Sequence, residues 1–398
     1  MKLHYTNLSN FSRGYYKGFI GKQHLKEEVA IKGEKYWLAE VNKQKFLLTD
    51  SVVEALPIVV VEYEPLLYRN KVYNIPTKVK SVKLKPEKKM SFRDLVDWFE
   101  LKMSEYDLDG NRLTVEQYDK SKLQHLLYRI IVMAAEIDRI NFRISTTAGF
   151  GKNSMVSMLG ALMGDVAESN PRSAPAIEYR LFNKLLVLDE LSNLESSQKQ
   201  LIQNILLQIG DFSPSYEKGT RATTDTADIY DISNLSLLIF YNLYEDYVLA
   251  GQEQRFFDNV FTKAVMDRFP AVRFYGFLDQ NQFLEEPNKD DWVKYADEYK
   301  AVISTIRWYR ENWVDELTDE KYDWVKETLM NKRLYGNRHR KSLYKVLSFL
   351  AVYSLGYEEY TQLSEELFKA YWDYKEALSK NSKSVATTVE EIKIDSFI

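Results

Sequence analysis

The chain has 398 residues, 45% of them hydrophobic, which is length for more than one domain, apolar material for large cores, and evidence against a disordered chain. It has no cysteine, which excludes disulfides, thiol catalysis and cysteine-ligated zinc, and its four histidines (His4, His24, His125 and His339) are too scattered to suggest a histidine metal cluster. The net charge of −4 makes no global case for a polyanionic partner, so any nucleic-acid contact must come from local patches.

No apolar run approaches the ~18–20 residues of a membrane-spanning helix. The opening stretch "MKLHYTNLSNFSRGYY" also lacks the apolar segment of a signal peptide. The expectation is a cytoplasmic protein with no membrane partner. Residues 1–88 alternate apolar and polar, and "KYWLAEV", "KFLLTD", "PIVVVEYEPLLY" and "KVYNI" read as strands of a β-rich amino-terminal module. The basic stretch "KVKSVKLKPEKK" (78–89) reads as a solvated edge strand and linker, with a nucleic-acid-contacting strand as the alternative. Residues 89–140 form a helical connector, with helical periodicity over 91–105 and 114–140. "NFRIST" then predicts a strand entering a glycine loop, followed by a helix over 153–164 and a buried strand, "NKLLVLDEL". The helix "SSQKQLIQNILLQIG", ended by Gly210, and a buried strand, "SLLIFYN", follow. This alternation predicts a mostly parallel α/β core over 141–286. From 287 to 398 the pattern is helical, closing on two amphipathic helices after "GNRHRKS".

Residues 145–155, "STTAGFGKNSM", carry the first chemistry. Nucleotide phosphates need backbone N–H groups that converge on them, a close chain approach that glycine permits, and the positive end of a helix. Ala148, Gly149, Phe150 and Gly151 fit such a cradle, with Lys152 to neutralise phosphate charge and Asn153 and Ser154 opening the helix. Asn153 stands where a Mg2+-binding hydroxyl is usual, and Thr146 stands where a glycine usually opens the loop. An amide oxygen is an acceptable hard ligand, and Ser154 could substitute after a small register change. The competing reading is an incidental glycine turn. "KLLVLDEL" places Asp189 and Glu190 at the carboxyl end of a buried strand, where parallel sheets hold ligands. Asp189 would hold Mg2+ and Glu190 would polarise an attacking water; capping of the next helix is the alternative. Asn242, ending "LSLLIFYN", could position that water or serve only as turn chemistry. Arg268, in "AVMDRFPAVRFYG", suits a contact to phosphate oxygens from a neighbouring chain, with Arg255 and Arg273 as competitors and a surface ion pair as the bland reading.

The ordered set of glycine loop, "LLVLDE", strand-terminal asparagine and "DRF" resembles an AAA+ P-loop ATPase, over roughly 140–280. More narrowly it resembles the helicase branch of superfamily 3 viral and plasmid helicases and minichromosome maintenance helicases. That resemblance implies an α/β AAA+ core carrying the β-rich module and a helical carboxy-terminal lid, binding ATP and Mg2+. It implies that the hairpin in "PSYEKGTRATTDTADIYDIS" contacts DNA through Lys218 and Arg221, and that Arg338 or Arg340 reaches a nucleotide; a surface hairpin and solvated basic cap residues are the alternatives. The implied function is an ATP-dependent DNA motor, a hexameric replicative helicase of a virus, plasmid or integrated element. It would act on single-stranded or forked DNA and hydrolyse ATP between subunits of a homo-oligomer. An ATP-switched initiator or helicase loader with weak hydrolysis is the alternative, and a packaging or remodelling ATPase a third.

Overall fold

The computed structural model describes residues 19–31, 33–41, 44–56, 58–69, 71–81, 86–169, 177–178, 180–189, 196–217, 229–243, 263–266, 268–279, 289–332 and 337–379. Their β-branched and aromatic alternation folds the amino-terminal stretch into one six-stranded sheet. Its strands are β1 (Phe19–Ile20), β2 (Leu25–Ile31), β3 (Glu34–Val41), β4 (Gln44–Leu48), β5 (Ile58–Tyr68) and β6 (Lys71–Ser81), in the order β1-β5-β6-β4-β3-β2. A short helix, α1 (Asp50–Glu54), bridges β4 and β5. One face buries Ile20, Leu25, Ala39, Phe46, Leu48, Ile58 and Val60, and the other a smaller set around Ile31, Leu38 and Leu47. Residues 78–81, which begin the edge strand and linker expected over 78–89, are the end of β6, paired with β5 up to Ile58↔Ser81, while β6 meets β4 at Phe46↔Asn74. The length of β5 decides this, because its 11 residues carry the ladder to the last residue of β6.

Two helices follow, α2 (Phe92–Trp98) and α3 (Val115–Ile137). The helix expected over 91–105 stops at Trp98. Leu101 and Met103, which continued its periodicity, pack against Leu278 instead, and Met103 makes a β-bridge to it. Helix α3 opens on a capping box in which Thr114 and Gln117 satisfy each other's backbone N–H groups.

The second sheet is wholly parallel. Its strands are β7 (Asn141–Thr147), β8 (Val166–Ser169), β9 (Leu185–Asp189), β12 (Ser236–Leu243) and β13 (Ala271–Phe274), in the order β13-β7-β12-β9-β8. Strand β8, "VAES", was not anticipated, because four residues of which three are small or polar carry little pattern. Between these strands lie α4 (Lys152–Met163), α5 (Ser196–Gly210), the antiparallel pair β10 (Ser215–Glu217) and β11 (Ile229–Asp231), and α6 (Lys263–Met266). Successive residues of each strand point to opposite faces. Phe142, Ile144, Leu185, Val187, Leu238, Phe240, Val272 and Phe274 join α3 and α4 on one face. Leu186, Leu188, Leu237, Ile239 and Tyr241 join α5 and α6 on the other. The arrangement is a mixed α/β fold with a parallel sheet covered on both faces.

The remaining helices are α7 (Lys289–Lys294), α8 (Ala296–Asn312), α9 (Asp319–Asn331), α10 (Asn337–Tyr353) and α11 (Tyr357–Ser379). Their apolar faces do not build a separate core. Those of α8 to α11 enter the same buried cluster as α2, α3, α4 and the sheet, which has members from Phe92 to Tyr371. No helix among the described residues is long and apolar enough to cross a membrane.

Candidate functional site

The carboxyl edge of the parallel sheet gathers most of the residues singled out by sequence. Strand β7 delivers the chain into the loop Ala148–Gly151, and α4 starts immediately after it. Gly149 has φ +79° and Gly151 φ +82°, a left-handed conformation that side chains resist. At Gly151 space is also lacking, since a Cβ there would sit 2.0 Å from Leu278 Cδ1. The loop is held from outside. Leu278 N–H donates to Gly149 O at 2.9 Å, and the buried Tyr128 hydroxyl of α3 donates to the Lys152 carbonyl. Phe150 was expected to help hold a nucleotide. Its side chain is fully buried among His125, Tyr128 and Phe274, and its N–H donates to Thr147 O at 3.3 Å, so Phe150 anchors the loop to the core. Ala148 and Gly149 are exposed.

Lys152 reaches back from α4 to the end of β9. Its ammonium lies 2.9 and 3.0 Å from the two oxygens of Asp189, and Asn153 Nδ2 donates to Asp189 Oδ2 at 3.0 Å. Both members of the ion pair are largely buried. Strand β12 separates β9 from β7, which puts Asp189 two strand spacings, roughly 10 Å, from the strand that enters the loop. Phe240 of β12 pairs with Asp189, and Asn242, two residues on and on the same face, pairs with Thr146. Asn242 is half-buried at this edge. No known family model matches the chain, and no curated protein matches it. The functional reading therefore rests on the residues themselves.

Glu168 escaped the sequence reading. It pairs with Val187 on β9, and the strand alternation places it on the face that carries Asp189. The residue is exposed overall, yet loss of water around its carboxyl, reinforced by the Asp189 charge and opposed by Lys152, pushes its pKa up to about 7. Only the position of β8 beside β9 makes it visible. Burial, followed by the Glu168 and Asp189 charges, drives the Tyr128 hydroxyl well above its usual range, so it remains a donor.

The donor set fits a hard cation. Asn153 Oδ1 is buried without a hydrogen-bond partner beside the Asp189 carboxylate, and Mg2+ takes one or two carboxylates with phosphate oxygens and water completing its shell. Among the described residues no group of three or more His, Asp or Glu forms a cage that would hold a metal alone. Ser154 is half-buried on the first turn of α4, its N–H bonded to Gly151 O at 3.2 Å.

Two expected site residues lie elsewhere. Arg268 precedes β13, at the amino edge of the sheet, where it forms a bidentate pair with Asp211. Arg338, at the start of α10, pairs with the same carboxylate. A parallel strand has its amino and carboxyl ends on opposite edges of the sheet, so neither arginine meets the Lys152 loop within one chain. Arg273 is buried within β13. Glu190, Lys218, Arg221 and Arg255 lie outside the described residues. The pairing of β10 with β11 includes Glu217↔Ile229, and the hairpin expected at "EKGT" falls in residues 218–228, outside the described residues.

Proposed function

We propose that the chain binds ATP with Mg2+ at the 148–154 loop and works as an ATP-driven DNA motor of the AAA+ helicase type, assembled as a homo-oligomer, with a hexamer as the expected ring. One observation carries the reading: a glycine loop, a helix-opening lysine and a strand-end carboxylate converge at the carboxyl edge of a parallel sheet. Connections from the adjacent strands β7 and β12 lead to helices on opposite faces, and ligands bind in the crevice such a reversal leaves. Lys152 would exchange Asp189 for the β- and γ-phosphates, and the exposed amides of the loop would orient them. Asn153 and Asp189 would hold Mg2+, which when bound supplies neutralisation of phosphate charge. Asn242 would orient a water, with Glu190 as its base. Arg268, distant in its own chain, would serve the site of a neighbouring copy, and Lys218 and Arg221 would contact DNA.

ATP turnover measured with and without single-stranded DNA tests this. The expected result is stimulation by DNA in the wild type and loss of turnover in Lys152→Ala and Asp189→Asn. Wild-type turnover at background with ATP still bound would select the second reading, an ATP-switched initiator or loader. The amide of Asn153 in place of a hydroxyl favours that reading. DNA-stimulated turnover without unwinding of a forked duplex would select a packaging or remodelling ATPase.

A further inference from the structure

We propose that the cavity at the carboxyl end of α2 is a second small-molecule site, that its ligand is a nucleoside monophosphate, and that its occupation acts on the Lys152 loop. Only the last of these rests on the nucleotide reading above. The cavity measures about 520 Å³, within the range of small-molecule pockets, roughly 300–1,000 Å³. Its buried lining joins two apolar side chains, Leu101 and Met103, to the guanidinium of Arg129 on α3, which is 4% exposed. That cation is poorly compensated. Nη1 donates to Val96 O at 2.8 Å, and Nε is buried with no hydrogen-bond partner. The carboxylates of Asp97 and Glu100 stand 3.6 and 3.8 Å away, beyond hydrogen-bond length. Burial lowers the Arg129 pKa against the pull of both acids. Capping the end of α2 occupies one donor of the group, whereas a buried charge calls for more.

The lining selects the ligand. Lys102 and Lys122 join Arg129 and face Asp97 and Glu100, so the ligand needs both an acidic group and hydrogen-bond donors. The Tyr118 ring, with the Lys122 ammonium over it at 4.3 Å, and the apolar Leu101 and Met103 call for a flat body. An inorganic anion would leave the apolar surface and the acids unused. A nucleoside monophosphate uses all three, with its phosphate on the cations, its base on the apolar lining and the base N–H groups on the carboxylates. The cavity also adjoins the phosphate loop through shared side chains. Leu278 packs against Leu101 and Met103, and its Cδ1 would lie 2.0 Å from a Cβ at Gly151. His125, which lines the cavity, packs on Phe150 of the loop with ring centroids 5.2 Å apart. His125, Tyr128 and Arg129 occupy one turn of α3, and Tyr128 donates to the Lys152 carbonyl. A ligand held by Arg129 therefore bears on the turn that braces the loop.

The test is calorimetric titration of AMP, GMP, CMP and UMP, each alone, into the full chain carrying Lys152→Ala, which removes the loop lysine and leaves the cavity to be read. At least one should bind, and the exposed change Lys122→Glu should weaken it roughly tenfold or more, the effect of losing a charged partner. Arg129→Leu should abolish binding, with circular dichroism to establish that this variant is folded; if it is not, Lys122→Glu decides. The matching nucleoside without phosphate should also bind roughly tenfold or more weakly. No binding by any of the four at millimolar concentration, binding indifferent to Lys122→Glu, or a nucleoside that binds as tightly as its monophosphate would overturn the site. A second arm reads the action on the loop. With Lys152 intact, a saturating concentration of that monophosphate should change ATP affinity by about fivefold or more, and Lys122→Glu should remove the change. Unchanged ATP affinity, or a change that persists in Lys122→Glu and so reports competition at the loop itself, overturns this action. Failure of the nucleotide reading shows separately, as wild-type ATP binding that Lys152→Ala leaves unchanged, and the first titration stands without it.

Discussion

At the scale of single residues, the Lys152–Asp189 pair does two jobs that a double-mutant cycle separates. Both groups are nearly out of water, so removing either one leaves a charge uncompensated. Lys152→Met and Asp189→Asn should each destabilise the fold in urea. The double variant should cost less than their sum, with a coupling on the order of 1–3 kcal/mol. Strict additivity would mean that the pair is a weak surface contact. His125 carries a different signature. It is buried against Phe150, and burial, with Arg129 adding to it, lowers its pKa to about 3. The unfolded chain takes up a proton near pH 6.5 that folded His125 refuses until about pH 3, so stability falls as pH drops through that window. His24, lowered to about 4, acts in the same direction. His125→Leu should therefore flatten, without abolishing, the fall of the urea midpoint between pH 6.5 and 4. An unchanged slope would show that His125 is not the group refusing the proton. Lys152, Asn153 and Asp189 were legible in the sequence because the loop and the strand-end carboxylate are local patterns. Glu168 and Tyr128 were not, because each joins the site through a neighbour remote in the chain.

At the scale of elements, α8 packs its apolar face into the core and adds an arginine that joins two acids there. Arg310 forms a bidentate pair with Asp165 at 2.7 and 2.8 Å, and also donates to the fully buried Glu136 at the end of α3. Burial pushes the Glu136 carboxyl up to about 7 while Arg310 pulls it down. Arg310→Met should cost roughly 3–5 kcal/mol in urea unfolding, because it strands a buried carboxylate. The loss should grow as pH rises above 7, where Glu136 must ionise or stay protonated at increasing cost. Adding Glu136→Gln should recover part of it, and no recovery would show that packing of the Arg310 stem, rather than charge, holds α8. Here the sequence was a good guide to the helices and a poor guide to their contacts. Helical periodicity identifies an apolar face, yet the 3.6-residue repeat is silent on which helix or strand covers it.

At the scale of the whole molecule, two units differ in how they are held. One continuous apolar cluster, with members from Phe92 to Tyr371, joins one face of the parallel sheet to helices after 287, so these should unfold together. The amino-terminal sheet has its own buried faces. Its contacts with the rest include Phe182, which lies edge-on to Trp37 at 6.3 Å, the bond from Lys22 to Phe182 O at 3.3 Å, and the Glu87 and Lys89 amides bonded to Ser304 and Thr305. Native-state hydrogen exchange should show β2–β6 opening as a separate unit from α3, β7, β9 and β12. Phe182→Ala should lower protection in the first unit only. A single common opening energy would refute this division.

The sequence by itself determined the amino-terminal strands, the glycine loop and its lysine, the buried carboxylate strand and the helical carboxy-terminal third. Each depends on residues within one element, where side-chain period, glycine conformation and chain direction are set locally. Only the tertiary structure decided that β12 lies between the loop strand and the carboxylate strand, that β8 brings Glu168 to Asp189, and that Arg268 and Arg338 meet on Asp211 at the opposite edge. The reason is physical: strand order and helix docking are settled by burying the summed apolar faces of the whole chain, so a residue's partner across the sheet cannot be read from its own neighbours.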